Sequence, residues 1–322
     1  MLTRRRFLMA LGGAGAVGAL GWALGTRGSD VRREGRALGT RVSMTAFHPD
    51  PGQAERALDA AFAELERVEA VMSLYRPGSQ LCRLNRDGVL AGPDPYLFQV
   101  LASARAFALG TQGAFDVTVQ PLWETYAAAR REGRLPSPAE VQAARSRVDW
   151  SRLQVSADRI SLAPGMAVTL NGIAQGFAAD RAIAALRAHG VEDALVDTGE
   201  EGAFGRPRKV GIQHPRVEDA WVDTVRLEGR CLATSGDYET TFSPDRSLNH
   251  ILDPRSGGSP LHFSSVSVLA PSGMVADALS TALFVLGPDQ ASDLLALWDA
   301  EALFVGKDGS VKATGGFPHA EA

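Results

Sequence analysis

Cysteine is almost missing from this chain of 322 residues. There are only two, Cys82 and Cys231, and neither sits in a CxxC or CxxH spacing. That argues against a zinc cluster or a disulfide framework as the source of its stability. No internal repeat of fixed period and no regular βα alternation is present either, which argues against a solenoid or a doubly wound sheet. A strongly apolar run of about twenty residues, the length a membrane-spanning helix needs, is also lacking. The nearest thing to one, within TRRRFLMALGGAGAVGALGWALG, is short and rich in glycine.

Three arginines before that run give it the form of an export signal. Thr3-Arg4-Arg5-Arg6-Phe7-Leu8 resembles the twin-arginine type, with Arg4 and Arg5 as the pair. Residues 1–28 are read as this signal, which directs the folded protein to the periplasm; left uncleaved, it would anchor the chain to the inner membrane. Removing them takes four arginines from the 33 basic residues and none of the 37 acids, leaving a net charge of −8. A domain so acidic is a poor candidate for binding nucleic acid. Contact with a membrane is expected only through the signal or a membrane-bound partner.

The whole chain has an ordinary globular composition, 45% hydrophobic and 22% charged. The chain's 34 glycines and 17 prolines point to many turns. Residues 29–35 read as a polar linker and 36–318 as one domain. GTRVSMTAF alternates as a strand. PGQAERALDAAFAELERVEAVMS places Ala57, Ala61, Leu65, Val68 and Val71 on one helical stripe. A second helix is expected over Pro95 to Leu109, and the polar stretch Ala127 to Arg147 reads as a surface excursion with a short helix. Short strands follow near Leu153 and Ile160. GIAQGFAADRAIAALRAHG is a helix closed by Gly190. Then come DALVD, RKVGI, WVDTVRLE, CLATS, LNHIL and FSSVSVLA, read as strands between turn residues. A short helix near Leu294 and a hairpin, EALFV-GKDG-SVKAT, end the chain. The fold class predicted is α+β, a mixed and largely antiparallel sheet with packed helices.

One helix stands out. MVADALSTALFVLG, Met274 to Gly287, is apolar nearly throughout yet carries Asp277 and, one turn later, Thr281, with Ser280 beside them. A buried carboxylate is costly unless it is paired or bound to a metal. Four further stretches are unusually particular: MSLYRPGSQLCRLN, GAFDVTVQPL, ATSGDYETTF and NHILDPRSGG. VTLNGIAQGFAADRA enters its helix through Gly172 and Gly176, where backbone NH groups could receive an anion.

The order and wording of these stretches resemble the ApbE family, the FAD:protein FMN transferases, from about Gly35 to Ala313. The resemblance implies Mg²⁺ held by Asp277, Thr281 and the carbonyl of Gly172, with phosphates completing an all-oxygen shell. It implies FAD contacts at Leu38, Tyr75, Ala114, Phe115, Asp116, Thr169, Gln175 and Ile251. Leu38 stands where a Met is usual, Thr169 where an Asp is usual, and Gln175 where a Lys or Glu is usual. In DTGEEGAFG, Glu200 matches the acid that commonly follows two glycines. The implied reaction is attack by a Thr or Ser hydroxyl of a target protein on the FMN-side phosphorus of FAD, releasing AMP. A base must take the hydroxyl's proton; His250 is the candidate, with Asp237 as its orienter or as an alternative base. LNGIAQG is similar to the NosX-like subgroup tied to nitrous-oxide respiration. The expected acceptor is therefore a flavoprotein with a periplasmic FMN-binding domain. Two other readings use the same site: a pyrophosphatase that splits FAD to FMN and AMP, and a flavin carrier without turnover.

Overall fold

The computed structural model describes residues 29–320, so the twin-arginine segment lies outside the described residues. The chain begins with a hairpin of β1 (Ser29–Ala37) and β2 (Thr40–His48). Leu38 and Gly39 form its two-residue turn, with φ of 54° and 76°. Positive φ at both positions matches the right-handed twist of paired strands. The non-glycine Leu38 is held there by its NH, which donates to Glu69 Oε2 at 3.0 Å. Residues 29–35 are thus not the linker expected from their polarity. Val31, Arg33 and Gly35 alternate with more exposed neighbours, and the segment pairs along its whole length with β2. A polar edge strand needs only one covered face.

Next come α1 (Pro51–Met72), α2 (Gln80–Asp87), β3 (Val89–Ala91), α3 (Pro95–Gly110), α4 (Gln120–Arg131) and α5 (Pro138–Arg145). The α1 stripe Ala57, Ala61, Leu65, Val68 and Val71 is buried as its spacing predicts. The surface excursion is more ordered than its polarity suggested. Its start, Ala127, lies within α4, and its short helix is α5, opened by a Ser137–Glu140 capping box. Short strands β4 (Gln154–Val155) and β5 (Arg159–Ser161) join β3 in a small sheet.

The rest of the chain contributes α6 (Ala174–Ala188), β6 (Asp193–Asp197), β7 (Glu201–Phe204), β8 (Arg208–Gln213), β9 (Trp221–Leu227), β10 (Cys231–Gly236) and β11 (Phe263–Ala270). It ends with α7 (Gly273–Leu286), α8 (Ala291–Leu297), β12 (Glu301–Gly306) and β13 (Val311–Ala313). The main sheet has the order β1-β2-β6-β7-β10-β11-β12-β13, and every neighbouring pair in it is antiparallel. The order is that of the chain, so the sheet is one meander into which helices and a hairpin are inserted. This is the α+β class expected, with an antiparallel sheet.

Helices α1, α6 and α7 cover one face of the sheet and share its large core with Val42, Met44, Val196, Ala233, Val266 and Val268. The β8–β9 hairpin covers part of the other face, where Val210, Ile212, Val225 and Leu227 pack on Leu232, Leu269, Leu303 and Val305. Strand β11 is covered from both sides, and all eight of its residues are buried.

LNHIL does not form a strand. It lies in the long connection from β10 to β11, where Asn249 makes only an isolated bridge to Thr241. The side chain of the fully buried Asn249 instead accepts from Ile251 N at 3.0 Å and donates to Arg246 O at 3.3 Å. Asn competes for backbone partners in this way and so favours turns over ladders. Among the described residues, no helix is long and apolar enough to cross a membrane.

Candidate functional site

The centre of the site is the crossing of α6 and α7. A Cβ on Gly176 would collide with the carbonyl of Gly273, and one on Gly273 would meet the carbonyl of Gly176. Only glycines allow this backbone approach. Helix α6 begins at Ile173 with no side-chain cap of its own. Asp277 of α7 supplies one, its Oδ2 accepting from Gly176 N at 3.1 Å. In return, Asp180 of α6 accepts from Gly273 N at 2.6 Å and Met274 N at 3.0 Å, at the start of α7. Each helix therefore places a carboxylate at the positive end of the other. Burial pushes the Asp180 carboxyl up, and the two amides hold it down. Asp277 is 4% exposed, so the carboxylate of this apolar helix is indeed withdrawn from water.

Thr281 lies one turn beyond. A Cβ on Gly172 would be 2.9 Å from Thr281 Oγ1 and 3.6 Å from the Phe115 ring. Gly172 thus leaves a gap that any side chain would fill, between a hydroxyl and an aromatic wall. Thr281 Oγ1 is 3.0 Å from Ser235 Oγ on β10, which is 2.8 Å from Ser280 Oγ.

From this centre, contacts lead to Phe115 beside Gly172, to Gln175 in the first turn of α6 and to Glu200 beside β10. Asp116, next to Phe115 in sequence, is buried and accepts from Thr118 N and Oγ1 and from Trp150 N at 2.8, 2.7 and 3.1 Å. Burial pushes its carboxyl up to about 6, against the pull of those donors. Thr169 is tied to the same segment by its NH, which donates to Val117 O at 2.8 Å. Gln175 Nε2 donates to Thr198 O at 3.4 Å, while Thr198 Oγ1 donates to Gln175 O at 3.1 Å. Buried Glu200 follows in that turn and accepts from Thr234 N, next to Ser235, at 3.1 Å. Ala114 and Ile251 are both buried in the main core.

Leu38 and Tyr75 are joined through a residue that nothing in the sequence singles out. Glu69, near the end of α1, accepts from Leu38 N and pairs with Arg76 at 3.2 Å. Tyr75, the neighbour of Arg76 in sequence, has 75% of its surface exposed. A bare aromatic ring on a pinned loop is suited to stacking against a planar ligand.

His250 is anchored through its own NH, which donates to Thr240 O at 2.9 Å, and its ring Nδ1 lies 3.3 Å from that same oxygen. A carbonyl can only accept, so Nδ1 carries the proton and Nε2 is the basic nitrogen. Asp237 takes a different place from the one expected. It is fully buried, and Arg216 grips it with both nitrogens at 2.6 and 2.7 Å while Lys307 pairs with Oδ2. Arg216 also donates to Ser264 Oγ at 2.8 Å. With two cations on its oxygens, Asp237 is an anchor for the β8–β9 and β12–β13 connections. It is neither the orienter of His250 nor a second base. Nothing local announces this pairing, because the partners lie 21 and 70 residues away.

Fold and site together define an antiparallel α+β domain in which two helices cross on bare glycine backbone, beside a gap walled by the Thr281 hydroxyl and the Phe115 ring. The chain belongs to the ApbE family, whose model matches residues 38–304. It is 32% identical over 290 residues to an FAD:protein FMN transferase of Haemophilus influenzae, spanning 82% of this chain and 83% of that one. It is 29% identical to the FAD:protein FMN transferase of Salmonella typhimurium, over 86% of this chain and 84% of the other. Among solved structures, the flavinyl transferase ApbE of Pseudomonas stutzeri, in its apo form, superposes with a TM-score of 0.77 at 30% identity. That likeness covers 89% of this chain and 95% of the other. The flavin transferase ApbE of Vibrio cholerae gives 0.78 at 27% identity, over 90% and 98%.

Proposed function

We propose that the chain is an FAD:protein FMN transferase that uses Mg²⁺ and modifies a Thr or Ser hydroxyl of an exported flavoprotein. The observation that carries this is the grouping of Asp277, Thr281 and Gly172 at the α6–α7 crossing. Their chemistry fits the ion: a carboxylate, a hydroxyl and a backbone carbonyl are all hard oxygen donors, and three protein ligands leave room for phosphates. The gap at Gly172, which a Cβ would fill, fits as well. When bound there, Mg²⁺ would supply positive charge against the pyrophosphate oxygens.

The protein's own groups account for the rest. The exposed ring of Tyr75 and the segment Ala114–Phe115–Asp116 flank the ligand, with Thr169, Gln175, Glu200 and Ile251 shaping the cleft. Nε2 of His250 takes the proton of the acceptor hydroxyl as that oxygen bonds to the FMN-side phosphorus. The P–O bond to the AMP half breaks, and AMP leaves with the electron pair. A buried site that excludes water favours the protein hydroxyl over hydrolysis.

The segment Arg4-Arg5 supports export by the twin-arginine route, and LNGIAQG supports an acceptor that serves nitrous-oxide reduction. A small-residue loop around the acceptor hydroxyl would enter a cleft already filled by FAD. The test is to incubate the protein with FAD, Mg²⁺ and such an acceptor domain and weigh the acceptor. A covalent gain of about 440 Da on one Thr or Ser, with AMP released in equal amount, is expected for a phosphoester adduct. AMP without any adduct would instead make the protein a pyrophosphatase.

A further inference from the structure

Ser235 and Ser280 play no part in the chemistry just described, yet both are tied to Thr281. Ser280 Oγ donates to the carbonyl of Asp277 at 2.9 Å, and a carbonyl can only accept. A serine has one hydroxyl proton, so Ser280 has spent its own there. In its 2.8 Å contact with Ser235, Ser280 must then accept, and Ser235 must donate. Ser235 has now spent its proton too. In the 3.0 Å contact between Ser235 and Thr281, the donor is therefore Thr281 Oγ1. The three protons run one way: Thr281 to Ser235, Ser235 to Ser280, Ser280 to the Asp277 carbonyl.

We propose that this hydroxyl chain is a positioning device that fixes Thr281 as an acceptor, with its proton turned toward β10 and its lone pairs left for a cation in the gap at Gly172. The inference rests on the metal reading given under Proposed function and deepens it. A threonine free to rotate could equally point its proton into the gap and donate to a phosphate oxygen. The chain removes that choice, so the position is set to receive positive charge. The carbonyl that ends the chain belongs to Asp277 itself, which ties both side-chain donors to one turn of α7. Ser280 is 1% exposed, so no bulk water competes for its proton.

A consequence separates this from simple packing. Ser280 does not touch the gap, yet its removal should matter. Without Ser280, the Ser235 proton has lost its acceptor and turns to Thr281, taking up a lone pair and reversing the donor's direction. Ser235→Ala removes the acceptor of the Thr281 proton directly. Both variants act through the same oxygen, so their effects should not add.

The test titrates Mn²⁺ into the full chain with FAD and no acceptor protein, reading free ion by EPR, with thermal unfolding followed alongside. Ser235→Ala and Ser280→Ala should each weaken Mn²⁺ binding by about tenfold, the scale on which a metal site's supporting hydrogen bonds act. The double variant should be no weaker than the worse single one, and Ser235→Thr, which keeps the hydroxyl, should bind within about threefold of the parent. If Ser280→Ala does not fold, the comparison of Ser235→Ala with Ser235→Thr decides the matter. Parent-like Mn²⁺ affinity in Ser235→Ala and Ser280→Ala, with Asp277→Ala unable to bind, would overturn the hydroxyl chain and leave the metal site standing. Parent-like binding in Asp277→Ala would remove the metal site and the inference together.

Discussion

At the scale of single residues, Asp277 serves two purposes, and they are separable by experiment. It caps α6 through Gly176 N and, in the proposed metal site, would offer a carboxylate to the ion beside Thr281. Asp277→Ala should abolish flavin transfer while costing only about 1–2 kcal/mol of stability, the worth of one helix cap. Turnover of adduct and urea denaturation measure the two; unchanged turnover would sink the Mg²⁺ reading. His250→Asn should lower turnover by at least about a hundredfold, as loss of a general base does. FAD affinity, read by fluorescence titration, should stay within about threefold, and a collapse of affinity together with rate would make His250 a binding residue. Asp116 carries a pH signature. Its folded value of about 6 lies above the ordinary 3.8, so folding takes up a proton between those values. Its contribution is present below the lower value and is lost as pH rises through the upper one. The parent should therefore lose stability relative to Asp116→Asn at up to about 1.4 kcal/mol per pH unit in that window. A parent-minus-variant difference that is flat from pH 4 to about 6 in denaturant titrations would contradict the shift.

Among elements, the pair α6–α7 carries the site, and its geometry depends on bare backbone. Gly176 faces the Gly273 carbonyl so closely that no rotamer change relieves an added methyl. Gly176→Ala should cost about 3 kcal/mol or more, at the upper end for overpacking, and should displace Asp277 with it. Equilibrium unfolding would show the loss, and a cost below about 1 kcal/mol would mean the helices slide apart readily. The two helices also exchange side-chain partners at their N-termini. Asp180, nearly two turns into α6, and Asp277, about one turn into α7, each accept from the first turn of the other helix; α6 has no side-chain cap of its own, and α7 adds that of Ser272. By contrast, the hairpin of β1 and β2 is local, with its register set by the Leu38–Gly39 turn.

For the whole molecule, the meander makes the sheet continuous while its insertions supply the helices that cover one face and the hairpin on the other. Residues 1–28 matter at this scale too, because the proposed twin-arginine route would carry the domain already folded. Replacing Arg4 and Arg5 together by Lys should trap the precursor in the cytoplasm, as cell fractionation would reveal. Arg6 offers a shifted pair, so the single Arg4 change should be milder. Normal periplasmic levels of the double variant would rule out that route.

The sequence by itself determined much of the local structure and the family. The α1 stripe, the Gly190 stop of α6, the final hairpin and the ordered run of particular stretches are all written in neighbouring residues. The pairing of Asp277 with Thr281 was legible because a helix brings residues four apart onto one face. The edge strand at 29–35 and the turn at LNHIL were not, because polarity and apolar runs record burial, whereas pairing depends on what lies alongside. Tertiary structure alone decided that Asp237 belongs to Arg216 and Lys307 and that Ser235 accepts from Thr281. It also decided that two helices cap each other. Those contacts join residues 21 to 101 positions apart. Charge, hydrogen-bond capacity and size can be read from a residue's name, but a partner at that separation is chosen only when the meander closes and brings the two side chains within reach.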